Sequence, residues 1–154
     1  MADSELEKTI AILGGASVFR EKQRAPMPGA ADARMTWTGL IRKGIPSKAL
    51  VSTAKHLRLS INELSQSLGL PERTVHRRVE KGQLLTPEET ERSVRAARAL
   101  AKAQELLGDD NGRAWLLSAC RGLGGEIPVT LLDTADGFAA VIDELGRLEY
   151  GVIS

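Results

Sequence analysis

The stretch Ser60-Ile61-Asn62-Glu63 fixes the start of a helix more tightly than any other feature of this chain. Serine followed three residues later by glutamate is a capping box. The hydroxyl accepts from the amide of residue 63, and the Glu63 carboxylate reaches back to the serine amide. The helix it opens carries Ile61, Leu64 and Leu68 and stops at Gly69. Pro71 begins a second helix, with Val75 and Val79 on one face, ended by Gly82. Thr86-Pro87-Glu88-Glu89 is a second capping box with proline at the first helical position. It starts a long helix with Val94, Ala97, Leu100, Ala101 and Leu107 on one side, ended by Gly108.

Helical spacing continues on both sides of this block. LEKTIAILGG reads as a helix stopped by Gly14-Gly15, and RAPMPGAADA as a flexible linker. MTWTGLIRKG gives a short helix with Trp37, Leu40 and Ile41, ended by Gly44. Pro46 permits a new start, and SKALVSTAKHL places Leu50, Val51, Ala54 and Leu57 at helical spacing. Asp109, Asp110 or Asn111 can cap a helix through Trp115, Leu116 and Leu117. GLGGEIP is a turn-rich break, Pro128 begins a short VTLL helix, and Thr134 or Asp136 caps a helix through Phe138, Val141, Ile142, Leu145 and Leu148. Trp115, Leu131 and Phe138 are expected in the core. No stretch alternates with period 2, so the fold class is all-α.

Two short helices joined at a glycine form a helix-turn-helix. If Val75 and Val79 dock the second helix, its other face shows Arg73, Thr74, His76, Arg77 and Lys81, and Arg78 adds to the basic residues of the same helix. In this motif the second helix enters the major groove, where arginine donates twice to guanine and threonine meets a thymine methyl or a phosphate. Lys81, Lys55 and Ser60 suit backbone phosphates, which supply affinity rather than sequence choice. The candidate DNA-binding set is Ser60, Arg73, Thr74, His76, Arg77, Arg78 and Lys81. A solvated basic helix in a structural bundle is the bland alternative.

Charge is unevenly spread. Residues 1–54 hold 8 Lys/Arg and 5 Asp/Glu, residues 55–102 hold 10 and 6, and residues 103–154 hold 3 and 9. A basic front and an acidic back suggest two partners of different kinds. The chain has no apolar run long enough to span a bilayer, and its acidic, polar start is not a signal peptide, so a cytoplasmic protein without membrane association is expected. The single cysteine, Cys120, excludes an internal disulfide and reads as packing. Two histidines and one cysteine leave no dedicated metal site, and no nucleophile–base pair or phosphate loop points to an enzyme or a cofactor.

From about residue 36 to 154 the chain resembles the Xre/ParS-type antitoxins of RES–Xre toxin–antitoxin modules. The resemblance rests on the helix-turn-helix, the Leu85-Thr86-Pro87-Glu88-Glu89 junction, the Gly108-Asp109 helix end and Trp115-Leu116. It continues through the Leu123-Gly124-Gly125-Glu126-Ile127-Pro128-Val129-Thr130-Leu131-Leu132-Asp133-Thr134 run and the Tyr150-Gly151-Val152 finish. One departure is Pro71, where the family often has a serine capping the recognition helix. The resemblance implies an N-terminal extension and linker over 1–35, an Xre/Cro-like DNA-binding bundle over 36–107 and a small helical toxin-binding domain over 108–154. It also implies a bacterial antitoxin, nucleoid-associated when on DNA. The partners would be a RES-domain toxin that depletes NAD and an inverted-repeat operator bound by a homodimer within a larger toxin–antitoxin complex. The homodimer is expected to use apolar surface on residues 1–50 or on the long helix.

The tail offers a blocking device against such a toxin. Glu149 and the terminal carboxylate of Ser154 suit a phosphate site, and the Tyr150 ring suits a flat slot. Leu148, Glu149, Tyr150, Gly151, Val152, Ile153 and Ser154 are therefore the candidate toxin-binding residues. The competing reading is a stand-alone repressor whose C-terminal part only dimerises.

Overall fold

A computed structural model describes residues 2–16, 18 and 33–151. Among these, eight α-helices and two 3-10 turns follow in order: α1 (Ala2–Ile12), α2 (Ala33–Lys43), α3 (Lys48–Leu57), α4 (Ile61–Ser67), α5 (Glu72–Lys81), α6 (Pro87–Leu107), α7 (Asp109–Leu116), 3-10 turns at Arg121–Leu123 and Pro128–Leu131, and α8 (Ala135–Glu149). No sheet forms among the described residues. One isolated antiparallel bridge joins Pro46 to Leu84. None of these helices is long and apolar enough to cross a membrane. The linker RAPMPGAADA lies almost wholly outside the described residues.

Both capping boxes form. Glu63 N donates to Ser60 Oγ at 3.0 Å while Ser60 N donates to Glu63 Oε1 at 3.1 Å. Thr86 and Glu89 repeat this at 3.2 and 2.8 Å. Each cap satisfies orphan amides and stabilises its helix by about 1 kcal/mol. Two smaller expectations change in detail. Gly108 itself is the N-cap of α7, and Asp109 and Asp110 occupy the first turn, where carboxylates favour the helix dipole. Pro71 caps α5 in an extended conformation without a side-chain bond, so the departure from a serine cap leaves the helix start in place.

The long helix α6 is the axis of the molecule. It packs against α1, α2, α3, α7 and α8. Val94, Ala96, Ala97, Ala99, Leu100, Ala101 and Ala103 are all buried. The run of alanines explains this: small side chains let helices approach on several sides at once. These residues are thus covered by this chain's own helices, while Leu106 and Leu107 near the helix end are half-buried.

Helix α1 is part of this core and not a peripheral arm. Ile12 and Leu13 are fully buried, at about 1.5–3 kcal/mol each. Ser52 Oγ donates to the Ile12 carbonyl at 2.8 Å, and Lys8 Nζ donates to Asp109 at 2.7 Å. That lysine, by its hydrogen bond first and its charge second, holds the Asp109 carboxyl below the usual carboxylate range.

Candidate functional site

Helices α4 and α5 pack through Leu64, Leu68 and Val75, all buried, with Val79 half-buried. Gly69 makes the turn at φ +66°, a left-handed conformation that glycine adopts without cost. Arg92 of α6 clamps it, donating from Nη1 to the carbonyls of Leu68 at 3.0 Å and Gly69 at 2.9 Å. Two side-chain bonds cross between the helices. Gln66 donates to Glu72 at 2.7 Å, and the His76 ring meets the Asn62 amide oxygen at 2.5 Å.

This docking places Arg73, His76, Arg77 and Lys81 on the exposed face of α5, with Thr74 beside them and half-buried. Ser60 is exposed at the start of α4. Arg78 does not join them. Its Nε lies 2.7 Å from Glu89 Oε1, an ion pair whose N–H is not aligned for a hydrogen bond, and both side chains are largely enclosed. The Arg78 carbonyl also accepts from Ser47 Oγ at 3.1 Å. One helical step of about 100° separates Arg77 from Arg78. That step turns Arg78 toward α6 and away from the reading face, so it is removed from the candidate DNA-binding set.

The C-terminal part is built on α8. Thr134 caps it, accepting from Gly137 N at 2.9 Å. Val141 and Leu145 are buried, and Glu144, also buried, takes Arg147 at 2.8 Å. Trp115, Leu131 and Phe138 are partly buried against the core, Phe138 with the Arg98 guanidinium 5.4 Å from its ring centre. Beyond Leu145 the apolar groups turn outward. Leu148 is 38% and Tyr150 82% exposed. Glu149 lies 3.6 Å from Lys102. Gly151 is exposed, and Val152, Ile153 and Ser154 lie outside the described residues.

The two halves share a wall that spacing did not reveal. Arg95, one turn beyond Arg92, donates to the Leu132 carbonyl at 3.0 Å. A groove of about 470 Å³ runs between α4 and the 127–133 segment, lined by Leu59, Gln66, Leu117, Ile127, Val129 and Asp133 among others. Nothing in the local sequence pairs these segments, because the contact depends on where α6 carries them.

Residues 36–98 match the family model of the antitoxin Xre-like helix-turn-helix domain. Residues 102–151 match that of the antitoxin Xre/MbcA/ParS C-terminal toxin-binding domain. The chain belongs to the Xre/ParS-type antitoxin family. Neither of its two domain families is enzymatic. Their boundary falls inside α6, so one uninterrupted helix joins a helix-turn-helix to a toxin-binding domain. Among the chain's relatives, an "Antitoxin Xre" of Yersinia enterocolitica is 41% identical over 94 residues, 60% of this chain and 64% of that protein. The match thus spans a little under two thirds of that relative's length. An "Antitoxin Xre" of Photorhabdus laumondii is 26% identical over 117 residues, 75% of this chain and 79% of that protein. A "Prs ADP-ribosylating antitoxin" of Sphingobium sp. is 26% identical over 126 residues, with the same shares.

Proposed function

We propose that this chain is a two-ended antitoxin. Its helix-turn-helix binds the operator of its own operon and represses it. Its C-terminal domain binds a RES-domain toxin and blocks the toxin's NAD pocket. The observation that carries the second half is the end of α8: Leu148 and Tyr150 leave the core and stand in solvent. Tyrosine is among the residues that most often anchor an interface. The acidic balance of residues 103–154 fits a pocket whose cations receive pyrophosphate.

The Sphingobium relative supports NAD chemistry in the partner, since an ADP-ribosyl group is taken from NAD. It also favours a second reading, in which the toxin transfers ADP-ribose to a protein instead of degrading NAD. Both toxins need the pocket that the tail would plug.

On DNA the reading set is Arg73, Thr74, His76 and Arg77, with Ser60 and Lys81 on phosphates. The antitoxin acts as a homodimer on an inverted repeat. Most apolar residues of α6 are covered by the chain's own helices, so the pairing surface draws on residues 1–50 or on the half-buried Leu106 and Leu107 near the end of α6.

The test is co-expression with the adjoining reading frame, pull-down on a tag carried by that partner, and assay of cellular NAD and of ADP-ribosylated protein. A complex with preserved NAD supports the leading reading. A complex that suppresses only protein ADP-ribosylation supports the second. No complex, with operator binding intact, leaves a stand-alone repressor.

A further inference from the structure

We infer that Arg58 grips a backbone phosphate beside the groove read by α5, an inference that rests on the DNA-binding reading above. Arg58 is the C-cap of α3 at φ 57°, ψ 38°, the only non-glycine with positive φ among the described residues. The other positive-φ positions there are all glycines. A β-carbon in this conformation meets the carbonyl oxygen, a cost glycine avoids. The turn does not need the arginine side chain. Its bonds are main-chain ones, Arg58 N to Lys55 O at 3.1 Å and Leu59 N to Ala54 O at 2.9 Å, and a glycine would make both. The side chain is exposed and makes no ion pair or hydrogen bond among the described residues. The side chain is therefore free to meet something outside the chain.

The position indicates what that is. Arg58 stands two residues before Ser60, the N-cap of α4. Asn62, in the first turn of α4, is bonded to His76 on the exposed face of α5. The entrance to α4 thus stands at the edge of the reading face. In a helix-turn-helix the first helix crosses the DNA backbone while the second lies in the groove. A guanidinium at that crossing has the planar fork that fits phosphate oxygens. The competing account is a cation placed at the C-terminus of α3 for the helix dipole.

The full-length variant Arg58→Gly separates the two. The probes are a duplex selected by the wild-type protein from a randomised library and a scrambled duplex of equal length, titrated over a range of salt. The expected result is a several-fold loss of affinity for both duplexes by the same factor. The slope of log affinity on log salt should also flatten by about 0.9, one phosphate contact. The melting temperature should hold or rise. An unchanged slope with a lowered melting temperature overturns the inference in favour of the dipole account. Loss on the selected duplex alone overturns it by making Arg58 a base reader. Arg77→Ala run in parallel keeps the readings apart. If it weakens selective binding while Arg58→Gly does nothing, DNA binding stands and the phosphate grip falls. If the wild type selects no duplex, both fall.

Discussion

Arg92 Nη1 lies 2.9 Å from the Gly69 carbonyl oxygen, at the turn that sets the angle between α4 and α5. The same nitrogen reaches the Leu68 carbonyl, and Nη2 is held by Glu88 at 2.6 Å. One side chain of α6 therefore satisfies two carbonyls that the end of α4 leaves orphaned. Arg92→Ala is expected to destabilise by about 1.5–3 kcal/mol, the range for hydrogen bonds to a charged donor. Lysine cannot reproduce the fork, so Arg92→Lys should recover less than half of the loss. Urea unfolding at constant slope measures both.

Arg77 and Arg78 are neighbours in sequence with opposite expectations. Arg78→Ala strands Glu89, which is 7% exposed, and should cost about 2–4 kcal/mol. Arg77→Ala removes an exposed side chain and should change stability by no more than about 0.5 kcal/mol. Its effect belongs on DNA, where a lost bidentate base contact is worth about 1–3 kcal/mol of discrimination. Thermal melts and operator competition by the same two variants test the division. A stable Arg78→Ala with altered base preference would reverse it.

These two arginines show why the fold was easier to read than the surface. The capping boxes at Ser60 and Thr86, and the stops at Gly44, Gly82 and Gly108, are chemistry within a few residues, so the chain declares them locally. Which of two adjacent arginines turns inward depends on Glu89, in another helix, and no spacing within α5 states it. The same holds for α1, read as part of an extension but fixed by Ile12, Leu13 and a contact from Lys8 to a residue 101 positions away. Periodicity finds an apolar face and is silent on what covers it.

Two helical glycines should respond to alanine with opposite sign. A β-carbon on Gly112 would stand 2.5 Å from Gln104 N and 2.6 Å from the Ala103 carbonyl carbon, both backbone. It would push α7 off α6, so Gly112→Ala is expected to destabilise by about 1–3 kcal/mol, the usual range for overpacking. At Gly146 in α8 nothing lies within 4 Å, and Gly146→Ala should stabilise by about 0.5–1 kcal/mol. Unfolding midpoints of the two variants test the contrast, and equal signs would refute it.

Asp109 gives a pH signature for the docking of α1. Its carboxyl is held below the ordinary value by the Lys8 hydrogen bond, then by the Lys8 charge. A carboxyl depressed on folding contributes stability above its unfolded value, and that contribution is lost as pH falls through the folded one. The loss is therefore confined to acid, below the ordinary aspartate range near 3.9. Lys8→Met should raise the Asp109 value, measured by carboxyl NMR titration, and should flatten the acid limb of stability against pH.

The tail is where stability and function should separate most cleanly. Tyr150 is 82% exposed, so Tyr150→Ala should leave stability within about 0.5 kcal/mol. If its ring fills the partner's slot, the same change removes an interface anchor worth about 2–4 kcal/mol, a loss of roughly 30- to 1000-fold in toxin affinity. Glu149 is already drawn toward Lys102 at 3.6 Å, so Glu149→Gln should cost less than the loss of the ring. Removal of residues 148–154 should restore toxicity in co-expression and leave operator binding unchanged, because the reading face of α5 lies on a different part of the fold. A truncated chain that still neutralises its toxin would move the interface off the tail and onto the packed surface of the C-terminal domain.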